Sequence, residues 1–148
     1  MDVLDRDDPV FSAYALYSVL LAFKMYAVFF LIARLRFKKK VFISPEDTTL
    51  KLGSTVRHDD PDIERARRAQ LNDLENIPIF WIIGLLYTLT KPEPLIAVNI
   101  FRIYFFARAI HTFVYAFVVF PQPARALSFF VGFAVTVYMT VEVFLYFV

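Results

Sequence analysis

Residues 11–33 are apolar almost without a break, and Lys24 is their only charge. A bilayer core about 30 Å thick is crossed by about 20 helical residues, so this run is long enough to span it. It exceeds the apolar core of a signal peptide and follows the acidic stretch MDVLDRDD rather than a basic one, so it reads as a retained first span. Residues 95–120 form another long run, interrupted by Asn99, Arg102, Arg108 and His111. Residues 127–148 form a further one, with Glu142 as its only acid. Residues 77–89 are apolar too, but as a helix they would rise only about 20 Å. The segment before them, DDPDIERARRAQLNDLENI, supplies what is missing. Asp60 can cap a helix, Pro61 suits its first position, and Asp62 and Glu64 favour the positive end of its dipole. One helix is therefore expected over about 60–89, charged in its first half and apolar in its second, with Pro78 as a candidate kink where the character changes.

Tight turns are expected at residues 90–94 and 120–124, where prolines cluster. The expected fold is all-α: one integral membrane domain over 1–148, a four-helix bundle with helices at about 11–36, 60–89, 95–119 and 124–147. The only long loop covers 37–59.

Composition supports the membrane reading. Hydrophobic residues make up 59% of the 148 residues, against roughly 45–50% in soluble domains. A soluble chain this small has too much surface to hide that fraction. An ordinary soluble globule, a disordered chain and a collagen-like fibre are all disfavoured. No cysteine is present, so disulfides, thiolate metal sites and thiol nucleophiles are excluded. The net charge of +2 is too small to imply a nucleic-acid partner. Its distribution is informative, because ten of the 16 Lys and Arg residues lie between Arg34 and Asp73. Positive loops stay cytoplasmic, which places the long loop and the turn before Arg125 in the cytosol and both termini opposite.

Ionisable groups within spans are costly and mark interiors or wet cavities. In the second helix Arg65, Arg68, Asn72 and Glu75 recur at spacings of three, four and three, so they share one face. In the third, Tyr104, Arg108, His111 and Tyr115 recur at four, three and four. Arg36 follows the first span and Arg125 opens the fourth helix. Most of these groups fall in the cytosolic half. Arg forks bind carboxylates at two points, and Glu75 can receive an amine. The set suits a small zwitterionic peptide with surplus negative charge. It equally suits a structural network, in which the arginines snorkel to lipid phosphates and Glu75 neutralises Arg108. His58 and His111 with scattered acids make no metal-ligand spacing. No glycine-rich phosphate loop or Ser-His-Asp signature is present.

The run IERARRAQLNDLENI, residues 63–77, closely resembles the signature of the microsomal glutathione transferases. These belong to a superfamily of membrane-associated proteins in eicosanoid and glutathione metabolism. KVFISPED (40–47) resembles the family's loop after the first span, FRIYFFARAIHTFVYA (101–116) its third helix, and PQPARALSFFVG (121–132) its fourth-helix entry. The resemblance covers nearly everything from Lys24 onward, except residues 48–59. It implies a homotrimer in the endoplasmic reticulum or outer mitochondrial membrane, with no metal. Glutathione, the co-substrate, would lie between subunits near the cytosolic face. By this resemblance Arg36, Arg68, Asn72, Glu75, His111 and Tyr115 contact glutathione, and Arg125 stands beside its sulfur. The implied activity is conjugation of glutathione thiolate to hydrophobic electrophiles arriving from the lipid, with reduction of lipid hydroperoxides as a side reaction.

Two alternatives come from the same superfamily: a non-catalytic lipid-binding scaffold and a prostaglandin E synthase-type isomerase. The synthase branch carries arginine before the motif asparagine, serine after the fourth-helix arginine, and tyrosine three positions further on. This chain has Leu71, Ala126 and Phe129 there, which disfavours that specialisation. Gln70 stands where many relatives carry histidine. The loop cysteine through which mammalian transferases of this type are activated has no counterpart.

Overall fold

Asp8–Pro9, Asp60–Pro61 and Glu93–Pro94 each start a long helix in the same way. The acid caps exposed backbone N–H groups, and the proline fills the first position, where its missing N–H costs nothing. The computed structural model describes residues 4–118, 120 and 123–148. Helix α1 spans Pro9–Lys39, α2 Pro61–Leu89, α3 Pro94–Thr112 and α4 Ala124–Phe147. Asp8 accepts from the N–H groups of Val10 and Phe11 at 2.9 and 2.8 Å. Asp60 accepts from Asp62 and Ile63, each at 3.1 Å. Glu93 accepts from Ile96 at 2.8 Å.

The structure moves some of the expected boundaries. Helix α1 starts before residue 11, because Asp8–Pro9 repeats the signal recognised at Asp60–Pro61. It runs past residue 36 to Lys39 and stops where Lys40 turns left-handed at φ 58° and donates its N–H to the Arg36 carbonyl. Arg36, Lys38 and Lys39 fill its last turn, where positive charge suits the negative end of the dipole. Helix α3 does not continue regularly to residue 119. At Phe113–Phe117 it widens into a π-turn, and the Val118 N–H donates to the Phe113 carbonyl at 2.9 Å. Of the expected turn at 120–124, Pro121 and Gln122 lie outside the described residues.

The segment between α1 and α2 is organised by two short parallel strands. Strand β1 (Val41–Phe42) pairs with β2 (Thr55–Val56), Val41 opposite Thr55 and Phe42 opposite Val56. A 3-10 helix, Pro45–Leu50, bridges them. Lys39, the last residue of α1, is tied to the start of α2 through Asp60 and Asp62.

Ala66, Ala69, Asp73, Ile77, Phe80, Gly84 and Tyr87 form the buried stripe of α2, at spacings of three and four. On it Phe80 stacks flat against Tyr104, with ring centroids 4.1 Å apart, and meets Phe101 edge-on at 5.9 Å. Leu21 of α1 and Met139 of α4 close the same core. Outside, large apolar side chains such as Phe23, Phe30, Ile82, Phe106, Phe130 and Phe144 are exposed. A soluble surface does not tolerate that density, but hydrocarbon does. Helix α1, the stretch Pro94–Phe117 and α4 are each long and apolar enough to cross a membrane. The chain is a multi-pass membrane protein.

Candidate functional site

Tyr115 is the hub of the polar groups at the α2–α3–α4 corner. It lies in the π-turn, a local widening that re-aims side chains and recurs at functional sites. Arg68, an exposed residue of α2, donates from Nε to the Tyr115 hydroxyl at 3.3 Å. Arg125, in the first turn of α4, places its guanidinium carbon 4.5 Å from the Tyr115 ring centroid. His111 meets Tyr115 edge-on at 5.7 Å and lies 6.3 Å from the Phe129 ring. Among the described residues neither Arg68 nor Arg125 is in an ion pair. Two uncompensated guanidiniums beside an aromatic platform form an anion-seeking surface.

Asn72 and Glu75 line an adjoining groove of about 390 Å³ between α2 and α4, with Asn76, Ile79 and Phe129 along its walls. Glu75 is exposed there. Arg36 lies elsewhere. It lines a separate groove of about 340 Å³ at the end of α1, with Asp47 and Gln70, and its buried Nε has no partner among the described residues. Of the seven singled-out side chains, the structure brings Arg68, His111, Tyr115 and Arg125 together and sets Asn72 and Glu75 beside them. It does not bring Arg36 to them within one chain.

One expected structural pairing is corrected. Glu75 does not neutralise Arg108. Arg108 donates from Nη2 to Asp73 Oδ1 at 2.8 Å and to Asn72 Oδ1 at 2.6 Å. Asp73 also accepts from Lys24 Nζ. The reason is helical phase. Asp73 lies on the buried stripe of α2, while Glu75, two residues on, points away from it. Sequence reasoning missed the Lys24–Asp73–Arg108 cluster. A signal existed, because Asp73 keeps the spacing of the apolar stripe from Ala66 to Tyr87, and Lys24 is the lone charge of its span. Arg65, counted in the polar stripe, is engaged by Asp62 at 2.7 Å. Among the described residues no group of three His, Asp or Glu side chains could hold a metal.

The model of the MAPEG family matches residues 14–145. Microsomal glutathione S-transferase 1 of Homo sapiens is 45% identical over 137 residues, covering 90% of this chain and 88% of the relative. Its counterpart in Bos taurus is 42% identical over the same shares. Prostaglandin E synthase of Equus caballus is 41% identical over 103 residues, 70% of this chain and 67% of the relative. With the family pattern running from the first helix to the last, and the polar corner built within it, the chain belongs to the MAPEG family.

Proposed function

We propose that this protein is a membrane glutathione transferase, joining glutathione thiolate to hydrophobic electrophiles and reducing lipid hydroperoxides at the same site. The observation that carries this reading is the pair of guanidiniums, Arg68 and Arg125, converging on Tyr115 without an acidic partner among the described residues. Glutathione has two carboxylates and one amine at neutral pH. Arg68 and Arg36 receive carboxylates, Glu75 takes the amine, and Asn72, His111 and Tyr115 hold the peptide between them. Arg125 stands by the sulfur. A thiol near pH 7 is mostly protonated, and only its thiolate attacks well. A guanidinium within a few Å favours the thiolate, more so in a poorly hydrated site. A 10- to 100-fold acceleration needs only about 1.4–2.8 kcal/mol.

The separation of Arg36 from Arg125 supports a site shared between neighbouring subunits of a homotrimer, each chain offering one half to each neighbour. In this reading α2 also crosses the membrane, completing a four-helix subunit. Its polar stripe, too deep for lipid, is covered by a neighbour. The basic cluster after α1 holds the site at the cytosolic face, where glutathione is dissolved, in the endoplasmic reticulum or outer mitochondrial membrane. The lipophilic substrate is already concentrated in the bilayer. Prostaglandin E synthase among the relatives makes glutathione-dependent isomerisation the second reading, against which Leu71 and Ala126 weigh.

The test is conjugation of a chlorinated nitrobenzene by purified protein in detergent. Wild-type activity is expected, with loss in Arg125→Ala while the oligomer persists. Full activity in that variant removes Arg125 from the role assigned to it.

A further inference from the structure

The most costly feature of the fold is the charge cluster in its core, and nothing in the transferase chemistry above uses it. Asp73 is 0% exposed and Arg108 1%. Lys24 Nζ reaches Asp73 Oδ1, and Arg108 Nη2 reaches the same oxygen at 2.8 Å. Thr112 lies 3.5 Å from the other carboxylate oxygen. Two cations share one anion inside a membrane protein, where ionisable groups are retained for a function more often than by chance.

Arg108 carries the consequence outward. Its Nη2 also donates to Asn72 Oδ1 at 2.6 Å. A guanidinium only donates, so the contact fixes which end of the Asn72 amide faces inward. The oxygen is committed to Arg108. The Nδ2 end meets no acceptor among the described residues, while Asn72 lines the groove with Glu75. Asn72 thus offers that groove a hydrogen-bond donor. The stem of Arg108 is itself confined, since a Cβ at Gly132 would lie 3.4 Å from its Cδ.

We propose that Asp73 is a positioning residue for the site. By clamping Arg108 it holds the Asn72 amide with its donor toward the groove, and so selects a ligand presenting a carbonyl or carboxylate oxygen there. Lys24 is the surplus cation of the cluster and is not needed for the clamp. The proposal rests on the glutathione reading above, and the oxygen selected is one of that tripeptide's.

The experiment uses full-length protein in nanodiscs and compares glutathione KM with kcat, alongside direct glutathione binding and oligomeric state. The variants are Lys24→Met and the pair Lys24→Met/Asp73→Asn. The pair leaves Arg108 as the lone charge, so the net charge of the cluster matches that of the native one, and altered net charge cannot explain a difference. Lys24→Met is expected to keep KM within about threefold of wild type. The pair is expected to stay assembled, keep kcat at saturating glutathione within about threefold, and raise KM about tenfold or more, as loss of one oriented hydrogen bond to a charged ligand does. An unchanged KM in the pair overturns the proposal. Should the pair not assemble, Lys24→Met/Asp73→Ser decides, because it too leaves Arg108 without the carboxylate clamp at the native net charge, with Asn72 untouched. A KM raised about tenfold supports the proposal, and an unchanged KM overturns it. Wild-type protein that binds no glutathione overturns the functional reading itself, which binding of wild type with unchanged KM in the variants does not.

Discussion

Arg125 lays its guanidinium 4.5 Å from the ring centroid of Tyr115, while the hydroxyl of the same tyrosine accepts a hydrogen bond from Arg68 at 3.3 Å. One side chain therefore orients both arginines of the corner, through two different parts of itself. The two functions separate by substitution. Tyr115→Phe keeps the ring under Arg125 and loses the bond to Arg68, so glutathione KM is expected to rise a few-fold with the thiolate still forming. Tyr115→Leu removes both. A cation–π contact is worth about 0.5–2 kcal/mol, roughly 2- to 30-fold, and that loss is expected in kcat/KM. Ultraviolet absorbance of bound glutathione thiolate distinguishes the variants. Equal thiolate signals in both would detach Tyr115 from the placement of Arg125.

The start of α2 is tied to the end of α1 by a second small network, and its pH dependence has a definite sign. Lys39 Nζ donates to Asp60 at 2.8 and 3.0 Å and to Asp62 at 2.5 Å. The hydrogen bond from Lys39 holds Asp60 below its ordinary 3.8, helped by the N–H groups of Ile63 and Asp62. Lys39 also leads in lowering Asp62, with Arg65 next. Lys39 is raised above its ordinary 10.5 by the same bonds, Asp60 first. A depressed acid contributes stability that is present above its unfolded pKa and lost as pH falls through its folded value. A raised lysine contributes stability that is present below its unfolded pKa and lost as pH rises through its folded value. The tie is therefore constant from about pH 5 to 10. Asp60→Ala is expected to cost about 1 kcal/mol through the lost helix cap. It should also speed proteolysis between residues 40 and 59 across that whole window. Proteolysis that differs from wild type only below pH 4 would contradict this.

Tyr14 of α1 lies across Gly84 of α2, and the fit leaves no room for a methyl group. A Cβ at Gly84 would meet the Tyr14 ring at 3.0 and 3.2 Å. The ring has little freedom to retreat, because its hydroxyl donates to the Trp81 carbonyl at 2.7 Å and its edge packs on Phe101. Gly84→Ala should therefore lower stability by about 1–3 kcal/mol, the usual cost of overfilling a packed core. In a Tyr14→Ala background, where the clash is gone, Gly84→Ala should cost less than it does in wild type. A thermal midpoint unchanged in Gly84→Ala would show that α1 and α2 can part at this point without penalty.

The helical plan was legible wherever the signal was local. Asp60–Pro61 announces α2, and α3 begins with the same kind of acid–proline pair at Glu93–Pro94. The candidate site was legible as helix faces: Arg68 with Asn72 and Glu75, and His111 with Tyr115. What escaped depends on partners far apart in the chain. The Lys24–Asp73 contact spans 49 residues and Arg108–Asp73 spans 35, and no periodicity reports which acid meets which base. Glu75 looked like the natural partner of Arg108 because it shares the polar stripe, yet the buried stripe carries Asp73. The π-turn was invisible for a similar reason. Residues 113–117, FVYAF, suit an ordinary helix, and the widening arises where the chain must leave α3.

Arg36 lines a groove at the end of α1 while Arg125 lies over the Tyr115 ring, and the proposed trimer would bring the two together from neighbouring chains. If each site takes Arg36 from one subunit and Arg125 from its neighbour, two crippled chains can complement each other. Arg36→Ala alone and Arg125→Ala alone should each be nearly inactive. Co-expressed in equal amounts, they form mixed trimers alongside pure ones, and each mixed trimer has about one interface in three with an intact half from each side. In purified mixed trimers activity should therefore return to about a third of wild type per chain, and over the unselected population to about a quarter. A site contained in one chain predicts no recovery, because every subunit then carries one lesion in its own site. Purification through two different affinity tags guarantees that the assayed trimers are mixed. The recovered fraction then reads the subunit arrangement directly from the rate.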